Sequence, residues 1–256
     1  MIERDEKTHA LLIQEQFSKQ AAPFAALGIH THGEGLTLLQ QSLKLRGDER
    51  LLDAGCGPGL LVRHFAPHVR EVVGMDATPA MLEKARELCG AQGLANTMLC
   101  EGDMEQLPFA ESSFDAVITR YTFHHLLHPE RAMAELARVC RAGGRVCVCD
   151  ATPREAARAA YDAWECGRDA SHTSARTEAE LLALVSAELG DVTIARFRLA
   201  AAVKELLAAC FPSDAEGLYA RMRANVQQDT LDMQPYFDGD RLMMSFPISV
   251  VSGTKR

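Results

Sequence analysis

RLLDAGCGPGLLVRHFA, residues Arg50–Ala66, decides the fold. A short apolar run ends in Asp53. A turn comes next with Gly55, Gly57 and Gly59, and helix-forming residues come after it. Glycine permits a tight turn and lets a ligand approach the backbone closely. The helix start behind the turn offers free N–H groups and a positive dipole end. A glycine-rich turn alone also suits any tight strand–helix connection. The next strand makes it specific. EVVGMD reads as a second short strand, and its last residue, Asp76, stands seventeen residues after Gly59. An acid at that point can accept hydrogen bonds from ribose hydroxyls.

The same texture continues downstream. TPAMLEKARELCGAQG reads as a helix with Thr78 as its N-cap, Pro79 in the first turn and Gly93 past its end. NTMLCEGD and FDAVITR read as strands three and four, PERAMAELARVCR as an amphipathic helix, and AGGRVCVCD as a turn and a fifth strand. Strands alternating with helices predict a parallel sheet covered on both faces, with ligands at the carboxyl ends of its strands. After Asp150 come an Ala-rich helix holding the only Trp, Trp164, then a helix from Thr177 to Gly190 and a sixth strand, DVTIARFRL. Two further helices and a last strand, MMSFPISVVSG, complete the chain. Before Arg50, KTHALLIQEQFSKQAAPFAAL reads as a helix broken at Pro23, GIHTHG as a loop and EGLTLLQQSLKL as a second helix.

The predicted fold is therefore α/β: a doubly wound, mostly parallel, seven-stranded sheet with a helical cap. One domain spans residues 1–256. It comprises an N-terminal helical cap at 1–46, a cofactor-binding core at 50–150, and cap helices with the final strands at 151–256.

Composition narrows the partners. The chain has 256 residues, 47% of them hydrophobic, and a formal net charge of −8. An acidic surface disfavours nucleic acid, whose phosphates are bound by Lys and Arg. No apolar run is long enough for a membrane-spanning helix, so no membrane insertion is expected. The N-terminus lacks an apolar signal core. The eight cysteines form no Cys-x-x-Cys pair, so no metal is expected, and they read as reduced thiols of a cytoplasmic protein. Oligomeric state is not legible.

The cofactor class is read from the loop. Its spacing is G-x-G-x-G rather than G-x-G-x-x-G, Pro58 removes one N–H, and Asp53 stands beside it. A cationic ligand group suits that acid better than a diphosphate. LLDAGCGPG resembles the first motif of class I S-adenosylmethionine (SAM) methyltransferases. The resemblance continues through VVGMDATPAMLEKAR, GLANTMLCEGDMEQLPFAESSFDAVITRYTFHHL and ARVCRAGGRVCVCD. It is similar in particular to the ubiquinone/menaquinone methyltransferase-like group, as are QFSKQAAPFAALGIHTHGEGL and RDASH. The resemblance implies that SAM is bound and S-adenosylhomocysteine released. It implies that Gly55 and Gly57 lie against the methionine portion, that Asp53 orients its amino end, and that Asp76 holds the ribose. Ala77 and Met81 would flank ribose and adenine, Asp103 would accept the adenine amino group with Met104 against the ring, and Arg120 would close the methionine side. Met81 suits a core position equally, and Asp103 a turn cap. Asp115 reads as a strand-start residue outside the site.

RYTFHHLLHP, residues Arg120–Pro129, ends strand four where acceptor and donor should meet. Adjacent His124 and His125 diverge on a helix or turn, so one is expected to face the substrate, and His125 is the inward choice. SAM is already activated, so a base is needed only where the acceptor must lose a proton. His125, Tyr121 and His172 are the catalytic candidates. Arg168, His30 and His32 are further acceptor-side residues, and Phe17, Phe24 and Trp164 suit either a pocket wall or the core. The expected activity is methyl transfer to an O, N or C atom of a small-molecule acceptor, with an aromatic or quinone-like metabolite as the suggested class. A non-catalytic SAM-binding protein stays open, as does an NAD-dependent oxidoreductase, although the loop spacing argues against the latter.

Overall fold

The computed structural model describes residues 5–28 and 33–256, so His30 and His32 lie outside the described residues. The doubly wound sheet expected from the sequence is present. Strands β1 (Arg50–Ala54), β2 (Glu71–Asp76), β3 (Thr97–Glu101), β4 (Phe114–Arg120) and β5 (Cys140–Ala151) are joined in parallel. Strands β6 (Leu189–Ala202) and β8 (Arg241–Lys255) complete the row in the order β3-β2-β1-β4-β5-β8-β6, with β8 antiparallel to both its neighbours. An eighth strand, β7 (Tyr236–Asp238), pairs only with β8. Its three residues are too short to show in a hydrophobic pattern.

Residue alternation along the central strands divides the core in two. Leu51, Val72, Ile118, Cys147 and Cys149 face one side. There they meet α2 (Gly33–Leu43), α3 (Leu60–Phe65) and α4 (Pro79–Ala91) through Leu39, Phe65 and Leu82. Leu52, Val73, Val117, Val146 and Val148 face the other, packed by α5 (Pro129–Val139) and α7 (Glu178–Glu188). The strand order reverses between β1 and β4, where a doubly wound sheet opens a crevice at its carboxyl edge. That edge is covered by α1 (Glu6–Ala26), α6 (Glu155–Arg168), α8 (Val203–Cys210) and α9 (Ala215–Ala224).

Four local expectations change. Pro23 does not break α1, which runs through it to Ala26. Proline there costs one intrahelical hydrogen bond, and packing of α1 on α4 and α8 holds the helix regardless. The second N-terminal helix, α2, belongs to the sheet face rather than the cap, because Leu39 and Leu43 are buried against the sheet. Gly190 does not end α7. The helix passes directly into β6, where Gly190 pairs with Thr254. Thr78 holds the N-cap position of α4, but its hydroxyl makes no cap bond. No helix among the described residues is long and apolar enough to cross a membrane.

Candidate functional site

The glycine turn is tied down from β2. The N–H groups of Gly55 and Cys56 both donate to the Met75 carbonyl. Gly57 N–H donates to Asp76 Oδ2 at 2.8 Å, and Thr78 N–H to Asp76 Oδ1 at 2.9 Å. One carboxylate thus joins the turn to the start of α4. Burial pushes the Asp76 carboxyl above its usual range, while those N–H groups pull it back. Gly55 is left-handed, with φ 73°, and a Cβ there would fall 2.3 Å from Thr122 Cγ2. Glycine is therefore required at the point where the turn passes the end of β4.

An outer cavity of about 1120 Å³, its open mouth included, lies over this turn. Asp53, Gly55, Gly57, Asp76, Ala77, Met81, Asp103, Met104 and Arg120 all line it, as do Tyr121 and His125. The roof is α1, through Ile13, Phe17, Phe24 and Ala25. Met81 and Met104 are also core residues, 2% and 7% exposed, so wall and core are the same side chains here. Asp103 Oδ1 accepts from Glu105 N–H at 2.8 Å, closing a turn at the cavity edge. Asp115 lies outside. It accepts from Arg50 N–H at the start of β1 and from Arg141.

Two buried polar atoms in this cavity's walls have no hydrogen-bond partner: Asp53 Oδ2 and Arg63 Nε. Burial drives the Asp53 carboxyl up to about 7; Arg120 opposes the rise and Asp76 adds to it. An acid oxygen and a guanidinium N–H left without partners in the lining of one cavity suit a ligand that carries both an ammonium and a carboxylate, as an α-amino acid does. Sequence reasoning missed Arg63. Its signal was position: it stands four residues after Gly59, one turn into α3.

A second, inner cavity of about 560 Å³, its open side included, shares Phe17, Phe24, Tyr121 and His125 with the first. It continues past His124, Tyr161, Glu165, Arg168 and Asp169 to Leu199, Leu206, Phe246 and Ile248. Tyr121 sits where the chain leaves β4, at φ 60°, its N–H donating to the Cys149 carbonyl. The Arg120 guanidinium lies 4.9 Å from its ring centre. Burial pushes the Tyr121 phenol far up, with Cys149 adding to the effect. It stays protonated and can donate a hydrogen bond but not serve as a base.

Both histidines of the 3-10 turn Phe123–His125 reach this cavity, not His125 alone. Their ring centres are 4.1 Å apart and tilted. The reason lies on β5: Asp150 Oδ1 takes His124 Nδ1 at 2.6 Å and draws its ring over the strand end. His125 Nδ1 meets Ser171 Oγ at 3.1 Å, and Ser171 donates onward to Asp169 Oδ1 at 2.5 Å. The Phe17 ring stands edge-on to His125, and His9 Nε2 contacts its carbonyl at 2.6 Å. Burial pulls both imidazoles down. At His124 the Asp150 carboxylate more than offsets it and raises the pKa above 6.5. At His125 the neighbouring His124 adds to it, and the pKa falls to about 3.

His172 is displaced from the expected site and lines neither cavity. It is 1% exposed and meets Asp162 Oδ1 through Nε2 at 2.8 Å, its ring 5.5 Å from that of His124. Asp162 on α6 holds it behind the cavity wall. Trp164 is likewise core, its indole N–H donating to the Leu218 carbonyl at 3.1 Å. Among the described residues no group of three His, Cys, Asp or Glu side chains is placed to hold a metal.

Residues 52–148 match a family model described as a methyltransferase domain. An uncharacterized methyltransferase of Bacillus subtilis, YcgJ, is 36% identical over 134 residues, covering 52% of this chain and 53% of that protein. A demethylmenaquinone methyltransferase of Thermus thermophilus is 39% identical over 111 residues, covering 42% and 50%. The chain thus spans about half the length of these curated relatives. The likeness extends further in three dimensions. The crystal structure of YcgJ superposes with a TM-score of 0.79 at 26% identity, covering 88% of this chain and 99% of that one. A putative methyltransferase structure from Bacillus halodurans gives 0.74 at 24% identity, with 87% and 99% covered.

Proposed function

We propose that this chain, which carries a class I methyltransferase domain, transfers a methyl group from S-adenosylmethionine to a small-molecule acceptor held in the inner cavity. The observation that carries this reading is the pair of unpartnered polar atoms, Asp53 Oδ2 and Arg63 Nε, in a cavity that Asp76 and the glycine turn also line. Asp53 would take the ammonium and Arg63 the carboxylate of the amino-acid end, with Gly55 and Gly57 beneath it. Asp76 would hold the ribose hydroxyls. Ala77, Met81 and Met104 would wall the nucleoside and Asp103 would receive the adenine amino group. When bound, the cofactor supplies a methyl on a positively charged sulfur. A neutral His125 and a protonated Tyr121 at the junction of the two cavities add no positive charge beside that sulfur. The α1 roof, with Phe17 and Phe24, excludes water and aligns donor with acceptor.

The inner cavity's aromatic and aliphatic walls favour an aromatic or quinone-like acceptor, consistent with the similarity to a demethylmenaquinone methyltransferase. The continuity of two cavities supports an enzyme over a protein that only binds the cofactor. Titration calorimetry with S-adenosylhomocysteine and NAD, run separately, tests the cofactor. Binding of the first alone is expected, and binding of NAD alone would overturn the reading. A screen of small aromatic acceptors for S-adenosylhomocysteine release then tests transfer.

A further inference from the structure

The inner cavity has an apolar bulk and one polar end, and the polar end is unequal in its readiness to take a proton. Each charged group that faces His124 is accounted for. Glu165 and Arg168 on α6 bind each other side-on, Arg168 Nε to Oε1 at 3.0 Å and Nη2 to Oε2 at 2.5 Å. Asp169, in the loop after α6, is engaged by both the N–H and the hydroxyl of Ser171. His172 in the same loop is paired with Asp162. Tyr121, just past β4, and Tyr161, on α6, are kept neutral by burial. His125 hands its Nδ1 to Ser171. No carboxylate here is left to receive an ammonium group. Asp150 on β5 is committed to His124 through Nδ1, which leaves Nε2 as the ring nitrogen not held by Asp150, on a residue that lines the cavity.

We propose that the acceptor is a planar molecule bearing an ionisable hydroxyl, a phenol or enol, and that His124 takes its proton while Asp150 positions and charges the imidazole. This rests on the methyltransferase reading. In the step the O–H bond breaks and a bond from hydrogen to His124 Nε2 forms. The electron pair stays on oxygen, ready for the sulfonium methyl donor, and the imidazolium afterwards returns its proton to water. Aromatic side chains on several sides of the cavity, Phe17, Phe24, Tyr161 and Phe246, supply faces and edges for a flat ring. The buried imidazolium–carboxylate pair gives the new oxyanion a cation at close range. His125 lacks this capacity. Its partner carboxylate, Asp169, is one hydroxyl removed, so no carboxylate touches its ring directly to hold the charge it would gain. It serves instead as the neutral wall between the cavities.

The test uses the full chain saturated with S-adenosylhomocysteine and 4-nitrophenol as probe, because its ionised form is yellow and its hydroxyl ionises near neutrality. Bound probe should ionise at lower pH than free probe, with an ionised fraction about tenfold greater in mildly acid buffer, a shift of about one pH unit. His124→Gln should bind S-adenosylhomocysteine normally and lose the shift. Asp150→Asn should diminish it. In the same variant the His124 imidazole NMR resonance should titrate below its wild-type pKa, which a merely structural Asp150 would not cause. His125→Gln should keep the shift. Loss of the shift in His125→Gln with retention in His124→Gln would overturn the assignment, as would probe that binds without shifting. Failure of the probe to bind loaded protein would overturn the acceptor class. Failure of S-adenosylhomocysteine itself to bind would refute the methyltransferase reading instead, so the two failures are distinguishable.

Discussion

With Asp53 at the proposed ammonium position, cofactor binding is coupled to protons, and the size of the coupling follows from the carboxyl's burial. The carboxyl is 1% exposed at the end of β1, and one of its oxygens has no partner. An unfolded aspartate ionises near 3.8, this one near 7. Its folded pKa is raised, so the folded state binds the extra proton between those values, and stability falls as pH rises through that window. Each pH unit costs about 1.4 kcal/mol, so ionised Asp53 destabilises the ligand-free protein by up to about 4 kcal/mol. Asp53→Asn keeps the shape and removes the cost. Its gain in urea stability over the wild type should be small near pH 4, grow to a few kcal/mol by pH 7 and level off above, by the same linkage.

An ammonium group placed against Asp53 reverses the balance, because a neighbouring cation favours the carboxylate. At pH 6 a carboxyl with a pKa of about 7 is about nine-tenths protonated. Binding of S-adenosylhomocysteine, which carries the same amino-acid end, should then release close to one proton. At pH 8 it should release almost none. Calorimetry in buffers of different ionisation enthalpy measures the number directly. The Asp53→Asn variant isolates this aspartate from Asp76, whose carboxyl burial also raises. Equal proton release by wild type and variant at pH 6 would refute the assignment of the ammonium to Asp53.

Asp76→Ala removes the carboxylate that joins Gly57 to Thr78 and should weaken S-adenosylhomocysteine binding at least tenfold by calorimetry, about 1.4 kcal/mol or more; unchanged affinity would refute its role. Arg63→Gln should erase the preference for S-adenosylhomocysteine over its decarboxylated analogue, since Arg63 Nε is the unsatisfied donor in that wall. Thr177→Ala should cost about 1 kcal/mol in urea denaturation by opening the capping box with Glu180 at the start of α7, and leave cofactor affinity unchanged.

The parts of the site carried by contiguous chain were legible. The glycine turn, Asp53, Asp76, Ala77, Met81, Asp103 and Met104 all lie at or within a few residues of strand ends that a periodic pattern reveals, and all line one cavity. Features whose partners are distant were not. Pro23 has the local signature of a helix end, and only contacts of α1 with α4 and α8 override it. His172 looked like an acceptor residue beside Arg168, but Asp162, ten residues earlier on α6, turns it away.

The two adjacent histidines show the limit most clearly. Nothing in FHHLL distinguishes them, since their difference is made by the Asp150 carboxylate, 26 residues after His124, and by Ser171, 46 residues after His125, which comes between that ring and Asp169. Strand register selects the first. Arg120 of β4 pairs with Cys149 of β5, which sets Asp150 beside the chain as it turns out of β4 into His124. A slip of one residue would send the Asp150 side chain to the opposite face of the sheet. The loop after α6 selects the second, because Ser171 interposes a hydroxyl between Asp169 and His125. Direct contact with a carboxylate raises one imidazole pKa against its burial; at the other, burial and the neighbouring His124 lower it, and a carboxylate one hydroxyl away does not make up the difference. One pair of identical side chains thereby becomes a proton acceptor and a neutral wall, a division created by sheet register and loop placement rather than by residue type.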